Sequence, residues 1–181
     1  MIQLWQLIKQ ESLIKKFGKE MRKAIFKNPV NGEEEEYLLF GQRDWSVILP
    51  VTEDNMVVTV LQFKQGCNKI IHELPAGTAD FTTESPEETA RRELLEETGY
   101  QSEKMIFLGP PLWMASRNSW TRFFPFLASD CKKIKPGKLD EMELIESKLV
   151  PLKRWIEMAR MEIEEPSAVV ATFRALSYLK I

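Results

Sequence analysis

Residues 73–100 read ELPAGTADFTTESPEETARRELLEETGY, and this stretch decides the fold. Its second half predicts a helix with a defined beginning, because Ser85 suits an N-cap and Pro86 suits the first helical position. Glu88 stands three residues after Ser85 and completes a capping box. Gly99 is the residue type at which helices commonly end. We therefore predict a helix between Ser85 and Gly99.

Three carboxylates share one stripe of this predicted helix. At about 100° per residue, Glu97 lies roughly 40° from Glu93, and Glu96 lies roughly 60° on its other side. Like charges at this spacing repel one another by roughly 0.2–0.5 kcal/mol per pair. Carboxylate oxygens are the ligands that Mg²⁺ or Mn²⁺ prefers, so the stripe indicates a divalent cation. A solvated helix face is the alternative interpretation of the same pattern.

Two arginines of the predicted helix stand four residues after glutamates. The spacing predicts the ion pairs Glu87–Arg91 and Glu88–Arg92. With both arginines engaged in this way, we expect Glu93 and Glu97 to face each other without a neutralising partner.

The same stretch resembles the box of the Nudix hydrolase superfamily, G-x5-E-x7-R-E-U-x-E-E-x-G-U, in which U is a bulky apolar residue. The matching positions are, in chain order, Gly77, Glu84, Arg92, Glu93, Leu94, Glu96, Glu97, Gly99 and Tyr100. One departure is that six residues, rather than five, separate Gly77 from Glu84. This difference suggests a longer loop before the helix and leaves the helix itself intact.

Segments outside the box resemble the ADP-ribose pyrophosphatase-like branch of that superfamily. They are Gln62-Phe63-Lys64, Glu73-Leu74-Pro75-Ala76-Gly77, the acidic stretch Asp140-Glu141-Met142-Glu143 and the strand region that starts at Trp5. Members selective for ADP-ribose tend to carry a Ser-Pro-Gly element where this chain has Ser116-Arg117-Asn118. A broader nucleoside diphosphate sugar hydrolase is therefore at least as well supported as a strict ADP-ribose enzyme.

The resemblance implies a divalent metal site for Mg²⁺ or Mn²⁺ that is built from oxygen ligands. The implied ligands are the side chains of Glu93, Glu96, Glu97 and Glu143 and the backbone carbonyl of Ala76. Supporting positions of the box are Gly77, Glu84 and Gly99.

The resemblance also implies catalytic roles. Glu141 would be the base that activates water, with Glu93 as the alternative base, and Glu96 would assist as a ligand. Arg92 would orient the carboxylates by pairing with Glu84 or with Glu88 of the capping box. The expected reaction cleaves the diphosphate of ADP-ribose or a related compound into a nucleoside monophosphate and a sugar phosphate. A catalytically silent nucleotide-sugar-binding module, and a Nudix hydrolase of another dinucleotide or of capped RNA, are the alternatives.

Four residues outside the box are candidates for substrate binding. Lys64 and Arg117 suit phosphate contacts, with ordinary surface cations as the alternative interpretation. Trp113 and Trp120 suit stacking on a base or sugar, with burial in the core as the alternative. The single histidine, His72, lies in an apolar strand and is expected to be structural.

The order of the remaining elements predicts a mixed α/β (α+β) fold. We expect strands at 45–51, 56–63, 106–108, 122–128 and 144–150, and closing helices at 152–163 and 167–180. The resemblance implies an α/β/α sandwich with a mixed sheet over residues 45–181, preceded by an N-terminal antiparallel sheet over 1–44 that mediates a homodimer. An amphipathic helix over residues 1–17 is the alternative to a strand there.

Composition excludes several other function classes. The formal net charge of −2 provides no overall basic field for nucleic acid or an anionic membrane, so neither partner is expected. One histidine and two cysteines cannot supply a Cys/His zinc site or, in any ordinary form, a Ser-His-Asp triad. The N-terminus lacks signal-peptide features, and no apolar run approaches the ~20 residues of a membrane span. We therefore expect a soluble, cytoplasmic protein.

Overall fold

The structure is a computed structural model that describes residues 1–80, 83–137 and 144–179. The strands are β1 Gln6–Lys16, β2 Lys19–Lys27, β3 Glu34–Gly41, β4 Trp45–Thr52, β5 Met56–Lys64, β6 Lys69–Glu73, β7 Ala76–Thr78, β8 Tyr100–Gln101, β9 Lys104–Phe107, β10 Leu112–Trp113, β11 Arg122–Lys133 and β12 Ile145–Pro151. The helices are α1 Pro86–Thr98, α2 Leu152–Met161 and α3 Pro166–Ala175, and a short 3-10 helix, Leu176–Tyr178, follows α3.

The chain forms two compact units. The first unit contains residues 1–44 and 112–122, and the second contains residues 45–111 and 123–181. The first unit thus includes a segment from beyond the predicted N-terminal extension, and the predicted domain boundaries stay a prediction. Across the described ranges, every helix is too short or too polar to span a bilayer.

The first unit is built on an antiparallel sheet in the order β1-β2-β3. Phe17 and Gly18 join β1 to β2 with φ values of 51° and 71°, and such left-handed values suit a tight two-residue hairpin turn. Residues 6–16 form a strand, so the helical interpretation of residues 1–17 is wrong and the strand prediction is confirmed.

The second unit contains a mixed sheet. Strand β4 pairs in parallel with β11 and antiparallel with β5 and β7. Strand β5 also pairs antiparallel with β6 and with β12, while β8 and β9 pair antiparallel with β11. This combination of parallel and antiparallel pairs confirms the predicted mixed sheet.

Strand β4 lies at the centre of the hydrophobic core of this unit. Residues 46–51 are all buried, and because neighbouring residues of a strand point to opposite faces, both faces of β4 are covered. Helices α1 and α3 both contact β4. The fold prediction of a sheet packed between helices is therefore confirmed.

The local signals for helix α1 predict its bounds well. Ser85 Oγ accepts the Glu88 N–H at 3.2 Å, and Glu88 Oε2 accepts the Ser85 N–H at 2.7 Å, which is the predicted capping box. Gly99 ends the helix with φ 76°. Pro86 is the first helical residue. The helix prediction is confirmed at both ends.

Three other predicted elements differ in length from the observed ones. Strand β11 continues to Lys133, five residues beyond the predicted end, because a register shift after Ala128 absorbs Asp130, whose φ is 54°. Helix α2 ends at Met161 and α3 at Ala175, so both closing helices are shorter than predicted. Apolar periodicity continues beyond each of these helices, and it therefore overestimates their length.

Hairpin β5–β6 places two sets of side chains on opposite faces of the sheet. Val60 stands opposite Glu73 in the antiparallel register, and residues two apart along a strand share a face. Gln62, Lys64 and Glu73 therefore lie on the same face of the sheet, which is the face that bears the box.

The opposite face of this hairpin carries His72, which stands opposite Leu61. His72 Nε2 lies 2.8 Å from Thr59 Oγ1, and the imidazole ring meets the buried Trp155 ring with centroids 5.5 Å apart. Burial lowers the pKa of His72, and the positive charge of Lys148 acts in the same direction. These contacts agree with the predicted structural role.

Candidate active site

A polar cavity of about 480 Å³ brings most of the predicted box residues together in the second unit. It is lined by residues of β5, of β7 and the loop that follows, and of α1. The lining residues are Gln62, Lys64, Ala76, Gly77, Thr78, Asp80, Arg92, Glu93, Glu96 and Glu97. The predicted stripe of carboxylates therefore faces a cavity rather than open solvent.

Glu97 is the most deeply buried carboxylate of the cavity, with a relative exposure of 9%. Burial raises the pKa of Glu97 well above its usual value, and the negative charges of Glu93 and Glu73 raise it further. The N–H of Ala76, which donates to Glu97 Oε2 at 3.0 Å, and the charge of Lys64 act in the opposite direction. A buried anion with anionic neighbours is stabilised by a bound cation, so this site fits a divalent metal ion.

Two glycines of the box allow the backbone to approach its neighbours closely. A Cβ atom on Gly77 would lie 2.0 Å from Glu93 Oε1, so any side chain there displaces the Glu93 carboxylate. Gly99 has φ 76°, and a Cβ atom on it would lie 1.9 Å from the Lys135 carbonyl oxygen. Gly99 therefore requires glycine, whereas a side chain at Gly77 would be accommodated only by movement of the Glu93 carboxylate.

Arg92 joins the loop before α1 to the carboxylates of the helix. Its Nε donates to Glu84 Oε1 at 2.9 Å, and its Nη2 donates to the Thr78 carbonyl at 2.8 Å. Its Nη1 lies 2.8 Å from Glu96 Oε2 and 2.9 Å from Glu93 Oε1. Burial opposes the charged form, but the hydrogen bonds to Glu84 and Glu96 and the nearby negative charges raise the pKa of Arg92 above its usual value.

Glu84, in the loop before α1, holds the Arg92 guanidinium from the side opposite to the helix carboxylates. Its carboxylate accepts hydrogen bonds from Arg92, from the Asp80 N–H at 2.8 Å and from Thr89 Oγ1 at 3.1 Å. Burial opposes its ionisation, but these three donors outweigh burial and hold the pKa of Glu84 below its usual value. The pairing of Arg92 with Glu84, one of the two predicted partners, is therefore observed.

Two electrostatic predictions for α1 are corrected by these contacts. Glu87 pairs with Arg91 at 2.8 Å as predicted, but Glu88 is engaged in the capping box and does not pair with Arg92. The expectation that Glu93 and Glu97 face each other without a neutralising partner is also wrong for Glu93, because Arg92 Nη1 lies 2.9 Å from Glu93 Oε1. The Arg92 guanidinium contacts Glu93 and Glu96 on the helix and also contacts the preceding loop. The spacing of side chains along a helix does not predict the contacts with the loop.

Lys64 is a cationic residue of the cavity wall, as is Arg92. Its Nζ lies 2.6 Å from Glu73 Oε1 and 2.6 Å from Gln62 Oε1. Burial raises the pKa of Glu73, while the charge and hydrogen bond of Lys64 lower it. The sequence predicts Lys64 as a candidate phosphate ligand, but it does not indicate that Glu73 and Gln62 are the partners of Lys64. Side chains alternate between the two faces along β5, which places Gln62 and Lys64 on one face. The antiparallel register of β6 against β5 brings Glu73 to the same face.

The other three candidate substrate residues belong to the first unit. Trp120 packs within that unit, since its ring lies 4.3 Å from the Arg22 guanidinium carbon and 2.4 Å from the position of a Cβ on Gly41. Trp113 is 55% exposed, and Arg117 is exposed. Roles for Trp113, Trp120 and Arg117 in substrate binding stay predictions.

Glu141 and Glu143 lie outside the described residues, so their roles as base and metal ligand stay predictions. Among the residues that the structure describes, no three Asp, Glu, His or Cys side chains form a ready metal-binding group. The carboxylates that line the cavity, those of Asp80, Glu93, Glu96 and Glu97, nevertheless offer oxygen donors, and oxygen donors suit a hard cation.

The fold and the box together define a member of a known family. A sequence model of the NUDIX domain matches residues 41–170, and the chain therefore belongs to the NUDIX family. Members of this family generally use divalent metal ions.

Comparisons with individual proteins agree with this assignment. The chain is 43% identical over 58 residues to the ADP-ribose pyrophosphatase of Bacillus subtilis (strain 168), and 43% identical over 61 residues to the methanol dehydrogenase activator of Bacillus methanolicus. These stretches cover 32% and 34% of this chain, and they span only 31% and 32% of the relatives' own lengths. A crystal structure of an ADP compounds hydrolase has the same fold, with a TM-score of 0.83 over 99% of this chain and 96% of that one, at 22% identity.

Substituting Gly77 by alanine is expected to lower turnover about tenfold with little loss of stability, because the added methyl group displaces the Glu93 carboxylate. Steady-state kinetics and the melting temperature would be measured together. Gly66→Ala is the matched control, since a Cβ there meets nothing within 4 Å. Equal turnover in the two variants would show that the close approach at Gly77 has no role in the site.

Proposed function

We propose that this protein is a metal-dependent pyrophosphohydrolase. It cleaves the diphosphate of ADP-ribose or a related nucleoside diphosphate sugar into a nucleoside monophosphate and a sugar phosphate. The observation that carries the proposal is the cavity in which Glu93, Glu96 and Glu97 face Lys64, because it offers oxygen ligands for a cation beside an ammonium for phosphate. The relatives described as ADP-ribose pyrophosphatase and ADP compounds hydrolase support the same substrate class.

In the proposed mechanism, a divalent metal ion would be held by the carboxylates of Glu93, Glu96 and Glu97, the Ala76 carbonyl and Glu143. When bound, Mg²⁺ or Mn²⁺ neutralises diphosphate charge and lowers the pKa of bound water. Arg92 holds the Glu93 and Glu96 carboxylates in position through its contacts with the preceding loop. Lys64 contacts phosphate oxygens.

As the oxygen of the attacking water bonds to one phosphorus, the bond from that phosphorus to the bridging oxygen breaks, the bridging oxygen leaves with the other phosphate group, and the water gives up a proton. Glu141 accepts this proton in our proposal, with Glu93 as the alternative base. A carboxylate within hydrogen-bond reach suffices for such a transfer when the pKa of the water is lowered.

The proposal includes a homodimer formed through the N-terminal sheet. Edge strand β1 is exposed along its whole length, and its exposed apolar side chains include Leu7, Ile8, Leu13 and Ile14. An edge strand with apolar residues exposed at neighbouring positions favours association with another chain. A second copy of this chain is the proposed partner.

The free thiols of Cys67 and Cys131 support a reducing, cytoplasmic location.

A substrate panel tests the proposed reaction. The protein would be incubated with Mg²⁺ and with ADP-ribose, other nucleoside diphosphate sugars, a dinucleotide cofactor and a capped RNA. We expect nucleoside monophosphate release from ADP-ribose or a related sugar, and no release after chelation of the metal. Binding of these compounds without turnover would instead identify a catalytically silent module, and turnover of the dinucleotide or RNA alone would assign a different substrate.

A further inference from the structure

Hairpin β5–β6 supplies a wall of the cavity that lies entirely outside the helix of the box. Its cavity-side residues are Gln62, Lys64 and Glu73, which the antiparallel register places on one face of the sheet. Gln62 and Lys64 line the cavity directly. Glu73 lies behind them, with a relative exposure of only 5%.

The Lys64 ammonium is held at a defined position by two acceptors. Glu73 Oε1 and Gln62 Oε1 each lie 2.6 Å from Nζ, so the ammonium is bound between a carboxylate and an amide oxygen. A free lysine has a flexible side chain, and ordering it on binding costs conformational entropy. Here the hairpin orders Lys64 before any ligand binds.

One N–H of this ammonium is available to a ligand. An ammonium has three donors, and in the described part of the chain Nζ of Lys64 has the Glu73 and Gln62 side chains as its acceptors. The side chain is 39% exposed, so the remaining donor is accessible from the cavity. The charge of Lys64 also acts on Glu97, which places the ammonium near the carboxylates of the box.

We propose that Glu73 is a positioning residue that, together with Gln62, fixes the Lys64 ammonium for contact with the substrate diphosphate. This inference rests on the proposed function, because it needs a phosphate group in the cavity. Glu73 acts through Lys64 and does not itself touch the substrate. The competing hypothesis is that the Glu73–Lys64 ion pair only holds β5 and β6 together.

The two hypotheses differ in a double-mutant cycle. Glu73→Gln preserves the shape of the side chain and removes its charge, and Lys64→Met removes the ammonium. If Glu73 acts through Lys64, each single variant raises KM for ADP-ribose about tenfold while kcat stays within about threefold of wild type. The double variant then has nearly the KM of Lys64→Met alone, because the two residues act as one unit.

A matched control is available on the same hairpin. Lys69 and Glu164 form another Lys–Glu ion pair at 3.1 Å, but both side chains are exposed and neither lines the cavity. Glu164→Gln is therefore expected to leave KM and kcat unchanged. Melting temperatures of all variants would confirm that they are folded, and Glu73→Leu provides a second variant if Glu73→Gln does not fold.

A binding measurement separates this inference from the proposed function. The Kd for inorganic pyrophosphate would be measured by calorimetry with wild type and with the three variants of the cycle, since this probe needs no turnover. The same non-additive increase in Kd supports positioning by Glu73 even if no compound of the panel is hydrolysed. Additive effects, an unchanged Kd in Glu73→Gln, or no pyrophosphate binding by wild type would overturn the inference.

Discussion

Replacing Glu97 by glutamine is expected to lower turnover by at least about 100-fold and, in metal-free buffer, to raise the melting temperature. The first effect follows from the loss of a proposed metal ligand. The second follows because Glu97 is a buried carboxylate whose charge is disfavoured by burial and by Glu93 and Glu73. Glutamine keeps an oxygen that can accept the Ala76 N–H, so the hydrogen bond at 3.0 Å is retained.

The stabilising effect of Glu97→Gln should depend on pH. In the folded protein the pKa of Glu97 lies well above 4.5, its ordinary value, so between these two pKa values the native state binds more protons than the unfolded state. Wild-type stability therefore rises as pH falls through this range. The glutamine variant lacks this titration, and its advantage in melting temperature should shrink as pH is lowered from 8 towards 5.

Scanning calorimetry in chelator and in Mg²⁺ would measure the melting temperatures of wild type and variant at each pH. Steady-state kinetics in Mg²⁺ would measure their turnover. A gain of about 1 kcal/mol corresponds to roughly 2–4 °C in a chain of this size. Added Mg²⁺ should raise the melting temperature of wild type but not that of the variant. The control is Glu87→Gln on the same helix, whose carboxylate is exposed and pairs with Arg91. Destabilisation of Glu97→Gln without metal, or full activity, would contradict a role for Glu97 as a buried cation ligand.

Substituting Arg92 by lysine is expected to lower turnover about 10- to 100-fold and to destabilise the fold by about 1.5–3 kcal/mol. Lysine keeps the positive charge, but its single ammonium cannot reach Glu84, the Thr78 carbonyl and the helix carboxylates together. Glu93 and Glu96 then lose their common anchor. The measurements are kcat, KM and chemical unfolding monitored by tryptophan fluorescence.

Arg91 provides the matched control for Arg92. It is the preceding residue of α1, it pairs with Glu87 and donates to the Ser102 carbonyl, and it does not line the cavity. Arg91→Lys should therefore change turnover by less than about twofold and, through the loss of the hydrogen bond to Ser102, lower stability by about 0.5–1.5 kcal/mol. If Arg91→Lys and Arg92→Lys had equal effects, a general requirement for arginine on the helix would replace the specific contacts of Arg92.

The box helix could be predicted from the sequence because its determinants are local. Ser85, Pro86, Glu88 and Gly99 act through neighbouring backbone atoms, and all four act as predicted. The partners of Arg92 could be predicted only in part. Glu84 and the Thr78 carbonyl belong to the preceding loop, and only the folded chain brings that loop against α1.

The contact of Glu73 with Lys64 could not be predicted from the sequence, for a different reason. Gln62 and Lys64 lie two residues apart on β5, and Glu73 lies on β6. Their contact therefore depends on the register between the two strands. Register is determined by the turn and by packing on both faces rather than by the residue types alone. The apolar residues of β4 and β5, in contrast, predicted buried strands correctly because continuous burial leaves a simple compositional signal.

Hairpin β5–β6 also limits which insertions and deletions this enzyme family member can accept. Glu73 and His72 are adjacent, yet Glu73 lies on the sheet face that bears the box and His72 packs on Trp155 from the opposite face. Deleting one residue from β6 would exchange their faces, bringing an imidazole towards the box and a carboxylate towards the indole. Substitutions in β6, and insertions or deletions of two residues, keep each side chain on its face. Insertions or deletions of a single residue should therefore be selected against in this segment.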